Sequence, residues 1–411
     1  VEDRPLGRAG PFLIFTGANI VATTFITGAT LKAGLPFSAT LAIITAGSVI
    51  GAALVAFLAP VGSRWGVPSI IALRAPLGRP GAQLVAIILF VSNFAWIALN
   101  NVIAASVTEV MAPSLGNRTL AVGLGIAATV IVAGGPHLVA LANRAAVPLM
   151  TVAGAVLAWL GFSAISSVPQ GAAPQAPALT LWQGLDLVVA YQVSWILMFA
   201  DYSRYTASPR RSAAAVFSAL SITSILGMAL GALLCAISLS TDPGAMLAAI
   251  GSPFMGAALL AAATITTNFV NIYLSALALR SLAPRVPDTA AVLITGFVGA
   301  ALSLLSREWR DGYSSFMGVL GMILVPLGGV ALAQFLPFPE DLDPADLYAD
   351  AGRFVRTNFA GLIAWGVGAF VYWRFQATGA TLPALTASFA LYSVFGRRRV
   401  SDAQERESAQ S

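Results

Sequence analysis

The sequence predicts an all-α integral membrane protein, and three observations carry that prediction. Of its 411 residues, 58% are hydrophobic and only 9% are charged, where a soluble domain carries roughly 25% charge. Apolar runs of about 20 residues, enough helix to cross about 30 Å of hydrocarbon, recur along nearly the whole chain. The helix is the expected element because it satisfies its own backbone hydrogen bonds in lipid.

Apolar stretches bounded by charge, Pro or Gly give twelve spans, near residues 11–33, 39–60, 84–111, 119–135, 142–163, 182–206, 213–239, 254–282, 288–306, 314–336, 357–374 and 380–396. No small-residue cleavage pattern follows Val1-Glu2-Asp3-Arg4, so the first span is read as retained. With both termini placed in the cytoplasm, seventeen of the 22 basic residues fall in cytoplasmic segments. The other five, Lys32, Arg118, Arg307, Arg310 and Arg374, fall outside. That bias is the positive-inside rule, and it explains the net charge of +5 without a nucleic-acid surface. Cys235, the single cysteine, lies within an apolar run and reads as a small buried hydrophobe.

Two polar segments divide the chain. Residues 164–181, rich in Pro, Gln, Ser and Ala, read as an external linker, and residues 337–356, with Glu340, Asp341, Asp343, Asp346 and Asp350, as a cytoplasmic loop before a final pair of spans. Five spans on each side of the linker force the second set to enter from the opposite face. That is the geometry of inverted repeats, 1–163 and 182–336, with sites near the midplane on discontinuous helices. Spans 1 and 6 then correspond, as do 3 and 8, and polar groups are expected there.

Span 1 holds a β-branched run, six of the eight residues from Ile20 to Thr27, flanked by Gly17 and Gly28. Two readings stand: an unwound turn that releases carbonyls, or threonines bonded back to their own helix with glycines for close packing. Span 3 places Asn93, Trp96 and Asn100 at i, i+3 and i+7, so one face presents two amides around an indole. An indole stacks on planar rings and an amide offers donor and acceptor together; interhelical glue is the plainer alternative.

Span 6 carries Tyr191, Gln192, Ser194 and Trp195 well inside, and Asp201 with Arg204 near its end, spaced for an ion pair. Span 8 runs Thr264-Ile265-Thr266-Thr267-Asn268-Phe269-Val270-Asn271. Such polar density is costly in lipid unless the groups bind something or one another. No carboxylate occupies the centre of a span, and His137 sits at a span end. A proton relay therefore has little to work with, whereas a bound Na⁺ needs only neutral oxygens. By the same token the solute is expected to be neutral. There is no HExxH, no GxSxG elbow, no metal constellation and no phosphate loop, so enzyme classes find no support.

Thr27-Gly28-Ala29-Thr30-Leu31 with Gly34-Leu35, Ala200-Asp201-Tyr202-Ser203-Arg204-Tyr205, and Thr266-Thr267-Asn268 with Tyr273 resemble the nucleobase:cation symporter-1 family of cytosine, purine, hydantoin and allantoin carriers. The resemblance runs from about Gly17 to the twelfth span. It implies a LeuT-type 5+5 inverted repeat with two additional C-terminal helices, in an inner (cytoplasmic) membrane, as a monomer in the lipid bilayer without nucleic acid. It implies Na⁺ as coupling ion on the Gly17, Ile20 and Ala263 carbonyls and the Thr266 and Thr267 hydroxyls. The implied substrate region, for a small neutral heterocycle, falls on Asn93, Trp96, Tyr191, Gln192, Ser194 and Asn268. The residue pattern adds Asn100, Asn271 and Phe25. Span 6 departs in having no Gly or Pro near Gln192 to mark a discontinuity. The expected activity is Na⁺-driven import of a planar nucleobase-like solute. A proton-coupled or uncoupled carrier of a thiamine precursor or amino acid is the alternative.

Overall fold

The structure, a computed structural model, describes residues 10–109, 112–164, 178–206, 208–283, 285–305, 309, 312–336, 342–352 and 354–396. Every regular element among them is helical. Helices α1 (Gly10–Asn19) and α2 (Ala22–Gly34) meet at a bend of 55°. Val21 between them is extended, φ −142° and ψ 158°, so the β-branched run does interrupt span 1. The alternative reading of the same residues holds as well: Thr27 Oγ1 donates back to the Thr23 carbonyl at 2.8 Å.

There follow α3 (Phe37–Trp65), the short α4 (Ser69–Ala72), α5 (Arg74–Thr108), α6 (Gly116–Ala133) and α7 (Pro136–Ser163). Gly78 interrupts α5 near its start with φ +74°, a backbone that L side chains rarely adopt. A Cβ there would also overlap the Arg356 carbonyl, because the segment before the later helices lies directly on this turn. Arg79 N–H donates to Phe354 O (2.8 Å) and Asn358 N–H to Leu77 O (3.1 Å).

The second half opens with α8 (Leu181–Val193), started by a capping box between Thr180 and Gln183. It does not continue as an α-helix. From Ser194 the backbone tightens into 3₁₀ turns, Ser194–Met198 and Ser203–Tyr205, so span 6 is discontinuous without a Gly or Pro to signal it. Then come α9 (Pro209–Ser238), the short α10 (Pro243–Ala249), α11 (Pro253–Leu282), α12 (Asp288–Leu302) and α13 (Tyr313–Phe335). A small α14 (Pro344–Tyr348) precedes α15 (Phe359–Phe375) and α16 (Thr381–Leu391), the last extended by a π turn, Tyr392–Gly396.

Among the described residues seven helices, α3, α5, α6, α7, α9, α11 and α13, are long and apolar enough to cross a membrane, and the bent pair α1/α2 makes an eighth. Helices α12, α15 and α16 are apolar but shorter. Neighbours repeat between the halves: α2 packs on α9 and α3 on α8, while α3 meets α9, α5 meets α11 and α6 meets α12. Exchanging each element for its counterpart in the other half returns the same set, as two related repeats require. Helices α15 and α16 pack against α13 and each other, outside this pattern.

The α2–α9 seam depends on small residues. Gly227 and Gly231 on α9 face Thr24, Phe25 and Gly28 on α2, and a Cβ on Gly28 would overlap the Met228 carbonyl while one on Gly231 would overlap that of Phe25. Packing between membrane helices relies on such close backbone approach because lipid supplies no hydrophobic drive.

Most of the expected external linker and all of the C-terminal tail lie outside the described residues, as do Glu340 and Asp341 of the acidic loop. Asp343 caps α14 by accepting from Ala345 N–H (2.8 Å), and Asp350 pairs with Arg79 (3.2 Å). The ion pair expected between Asp201 and Arg204 does not form. Asp201 Oδ2 instead accepts from Ser69 N–H (3.2 Å), Ser69 Oγ accepts from Ala200 N–H (2.8 Å), and Arg204 donates to the Tyr205 hydroxyl (2.6 Å). A free backbone amide at the start of α4 competes successfully for the carboxylate.

Candidate functional site

The breaks in spans 1 and 6 lie side by side, and hydrogen bonds join them. Asn19 ends α1; its Nδ2 donates to Thr223 Oγ1 (2.7 Å) and Ser224 Oγ (2.8 Å) on α9, and its Oδ1 accepts from the Trp195 indole N–H (3.2 Å). Thr24 Oγ1 donates to the Asn19 carbonyl (2.8 Å) and shares a hydrogen bond with the Tyr191 hydroxyl (2.6 Å). Each break thus satisfies backbone or side-chain groups of the other. Neither Asn19 nor Trp195 was among the expected site residues, although Trp195 next to Ser194 at mid-span was a visible signal.

A small cavity of about 40 Å³ lies against this junction. Helix α5 contributes Leu89, Asn93, Trp96 and Asn100, the face its spacing predicts. Tyr191, Ser194 and Trp195 enter from span 6, Ala18, Val21 and Thr23 from the span 1 break, and Thr267 and Asn271 from α11. Trp96 is fixed by edge contacts to Tyr191 (5.2 Å is the corresponding centroid distance to Phe316, 6.2 Å to Tyr191). Asn93 Nδ2, Asn100 Oδ1 and Thr23 Oγ1 are buried and have no partner in the protein. An unpaired buried polar group costs about 1–3 kcal/mol, and the protein leaves that cost uncompensated at one donor, one acceptor and one hydroxyl of the residues lining this cavity.

Three expected residues are not brought to this cavity. Gln192 is fully buried, and its Nε2 donates to the carbonyls of Ser48 and Leu220 (3.2 Å each), which ties span 6 to α3 and α9. The α-helical register before Ser194 turns it away from the side that carries Tyr191. Asn268 donates to Asn101 Oδ1 (2.8 Å) inside the α5–α11 contact. Phe25 lines a separate apolar cavity with Leu157, Leu234 and Met246.

Of the residues expected to hold a cation, Thr267 is the one whose side chain bonds α11 to a carbonyl of α1, that of Ala18. Of the last four carbonyls of α1, that of Thr16 accepts from Ile20 N–H (3.2 Å), that of Ala18 from Thr267 Oγ1 (3.4 Å) and that of Asn19 from Thr24 Oγ1 (2.8 Å). The Gly17 carbonyl takes none of these donors. After the break Thr24 N–H bonds Val21 O (3.0 Å), an i−3 contact that passes over Ile20. On α11, Thr266 Oγ1 donates to the carbonyls of Ala262 and Ala263 (3.0 Å each). These are neutral hard oxygens of the kind Na⁺ accepts, and among the described residues no group of three or more His, Cys, Asp or Glu could hold a metal instead.

A second, wider cavity of about 760 Å³ adjoins. Leu13, Ile14 and Gly17 of α1, Thr266, Val270 and Tyr273 of α11, and Asp288 at the start of α12 are among its lining residues. Ala18 lines both cavities, and the adjacent Thr266 and Thr267 each face one of them. The α1–α11 contact at Ala18, Thr266 and Thr267 is therefore the partition between a small central cavity and a wide one.

The model of a family described as permeases for cytosine/purines, uracil, thiamine and allantoin matches residues 4–393. The chain belongs to this family. The permease is also 24% identical over 364 residues to the putative purine-cytosine permease YxlA of Bacillus subtilis (strain 168), covering 81% of the chain and 77% of that protein. Its fold is similar to that of Mhp1, a nucleobase-cation-symport-1 family transporter, solved in a closed conformation with bromovinylhydantoin bound. There the TM-score is 0.81 at 19% identity, over 98% of this chain and 94% of that one. The inward-facing conformation of Mhp1 gives 0.83, also at 19% identity, over 98% and 92%. MhsT in complex with L-phenylalanine gives 0.62 at 16% identity, over 95% and 99%. The permease is thus a multi-pass membrane transporter with the LeuT-type fold that the sequence predicts, and its relatives are carriers rather than enzymes.

Proposed function

We propose that the permease imports a neutral, planar, nucleobase-like solute by Na⁺ symport through alternating access. The observation that carries this is the pairing of Asn93 Nδ2 and Asn100 Oδ1, buried and unpartnered in one cavity beside Trp96. A flat heterocycle with a donor and an acceptor on its edge meets both amides while its ring contacts the indole. A formally charged solute would find no counter-charge among the residues lining that cavity.

Na⁺ is the coupling ion on this reading, held by the Gly17, Ile20 and Ala263 carbonyls and the Thr266 and Thr267 hydroxyls. The cation draws α1 onto α11, which steadies the break in span 1 and with it the cavity wall at Ala18, Val21 and Thr23. Ion and solute then favour the same conformer, which is how a gradient of one drives the other.

On the charge bias of the sequence, the start of α1 and the end of α11 lie at the cytoplasmic face, with twelve spans and both termini inside. The 760 Å³ vestibule then opens to the cytoplasm, and the conformation is inward-facing. The α2–α9 seam and the Thr27–Tyr313 hydroxyl pair (2.6 Å) close the other side. A monomer contains every group this cycle uses.

Uptake of labelled cytosine, uracil, hypoxanthine, allantoin and hydantoin into proteoliposomes tests the proposal. An inward Na⁺ gradient should raise accumulation of at least one of them above that in K⁺ medium. Equal uptake in both media would remove Na⁺ coupling, and no uptake of any would remove the substrate class.

A further inference from the structure

A chain of side-chain amides leads from the central cavity into the packed α5–α11–α12 contact, and it has a direction. At its far end Ser303, just after α12, donates its hydroxyl proton to the Gly299 carbonyl (3.2 Å). While its one proton is held by that carbonyl, the Ser303 oxygen can act toward Asn101 only as an acceptor, and reversing the chain would break this bond. The Ser303 oxygen accepts from Asn101 Nδ2 (3.1 Å), Asn101 Oδ1 accepts from Asn268 Nδ2 (2.8 Å), and Asn268 Oδ1 accepts from Asn271 Nδ2 (3.5 Å). Asn101, Asn268 and Ser303 are fully buried, and Asn271 lines the cavity.

An isolated asparagine can turn its amide over and offer a ligand either donor or acceptor. Here flipping one amide alone would set two donors or two acceptors face to face, at a cost of about 1–3 kcal/mol in buried surroundings, and flipping all three together would take the Ser303 proton from the Gly299 carbonyl. Asn271 spends its Nδ2 on Asn268, so Oδ1 is the atom left for the cavity, where no described residue donates to it. Room for the chain is built in: a Cβ on Gly125 would stand 2.6 Å from Asn101 Nδ2.

We infer that Ser303, Asn101 and Asn268, none of which lines the cavity, are positioning residues that lock Asn271 as a hydrogen-bond acceptor, and so select solutes that present a ring N–H at that edge. This rests on the proposed nucleobase-like substrate class. It assigns a specificity role to three polar residues that would otherwise be interhelical glue.

Equilibrium binding to the purified full-length permease tests it, with cytosine, uracil and hypoxanthine compared with their ring N-methylated analogues. In the unaltered permease, methylation of one ring nitrogen of the bound base should weaken binding about 30-fold, the worth of one buried hydrogen bond and its orphaned acceptor. Ser303→Ala frees the far end of the chain, lets either amide orientation form, and should shrink that ratio to about 5-fold or less. The parent base still binds Ser303→Ala, which shows that the cavity is intact. Ser303→Thr keeps the hydroxyl and should keep the ratio. An unchanged ratio in Ser303→Ala, or no ratio in the unaltered permease, overturns the inference while the substrate class stands. Failure of every parent base to bind overturns both.

Discussion

Asn19 Oδ1 accepts from the Trp195 indole N–H at 3.2 Å, and through this contact the break in span 1 is bonded to the discontinuity in span 6. Asn19 Nδ2 reaches Thr223 and Ser224 on α9 from the same amide. Asn19→Leu removes all of these at once and leaves an indole N–H without its acceptor in a membrane interior. Melting of the detergent-purified protein should show a loss of about 2–4 kcal/mol. Trp195→Phe keeps an aromatic side chain but loses the indole donor and part of the ring's volume, so its loss should be about 1–3 kcal/mol. Equal stability of both variants and the parent would mean that the junction does not hold the breaks together.

Asn93 and Asn100 should behave in the opposite way. Each carries a buried polar atom with no partner in the protein, so Asn93→Leu relieves a desolvation cost and should leave the ligand-free protein as stable as before, or up to about 1 kcal/mol more so. The same substitution should weaken nucleobase binding at least about tenfold. Differential scanning fluorimetry alongside ligand titration measures both. A destabilised Asn93→Leu protein with undiminished affinity would assign the amide to packing.

Much of this architecture was legible in the sequence, for reasons specific to lipid. Apolar runs and the spacing of arginines follow from the cost of putting polar groups in hydrocarbon, and the i, i+3, i+7 pattern of Asn93, Trp96 and Asn100 needs only a helix to become a shared face. Three residues in that cavity, Tyr191, Ser194 and Asn271, were also named from their polarity at mid-span. Gln192 lies off the cavity because its Nε2 donates to the carbonyls of Ser48 and Leu220, and no one-dimensional pattern shows which neighbour an amide will meet. The 3₁₀ stretch from Ser194 was hidden for a related reason: bonds from Trp195 and Tyr191 to other helices stabilise it in place of a local Gly or Pro.

The α2–α9 seam should tolerate no added bulk. A side chain on Gly28 or Gly231 would enter the opposing backbone, which cannot move aside as a flexible side chain does. Gly231→Val should therefore cost about 3 kcal/mol or more, or prevent folded protein from accumulating. Gly123→Ala on α6 meets nothing within 4 Å and serves as the control. Monodisperse recovery on size-exclusion chromatography and the melting temperature report the difference, and parity of the two variants would show that the seam is loose.

Thr267 bridges α11 to the Ala18 carbonyl of α1 at 3.4 Å and lines the central cavity, so it touches both the proposed ion seam and the solute site. Linkage requires that whatever Na⁺ does for solute affinity, the solute does equally for Na⁺ affinity. The decisive measurement is the dissociation constant of the best-bound nucleobase in Na⁺ and in choline medium, for the unaltered permease and for Thr267→Ala. Na⁺ should tighten binding about tenfold in the former, a coupling of about 1.4 kcal/mol, and Thr267→Ala should lose most of that factor, read as the ratio of its own two dissociation constants. Binding of a nucleobase that is indifferent to Na⁺ in the unaltered protein would contradict coupling at this seam.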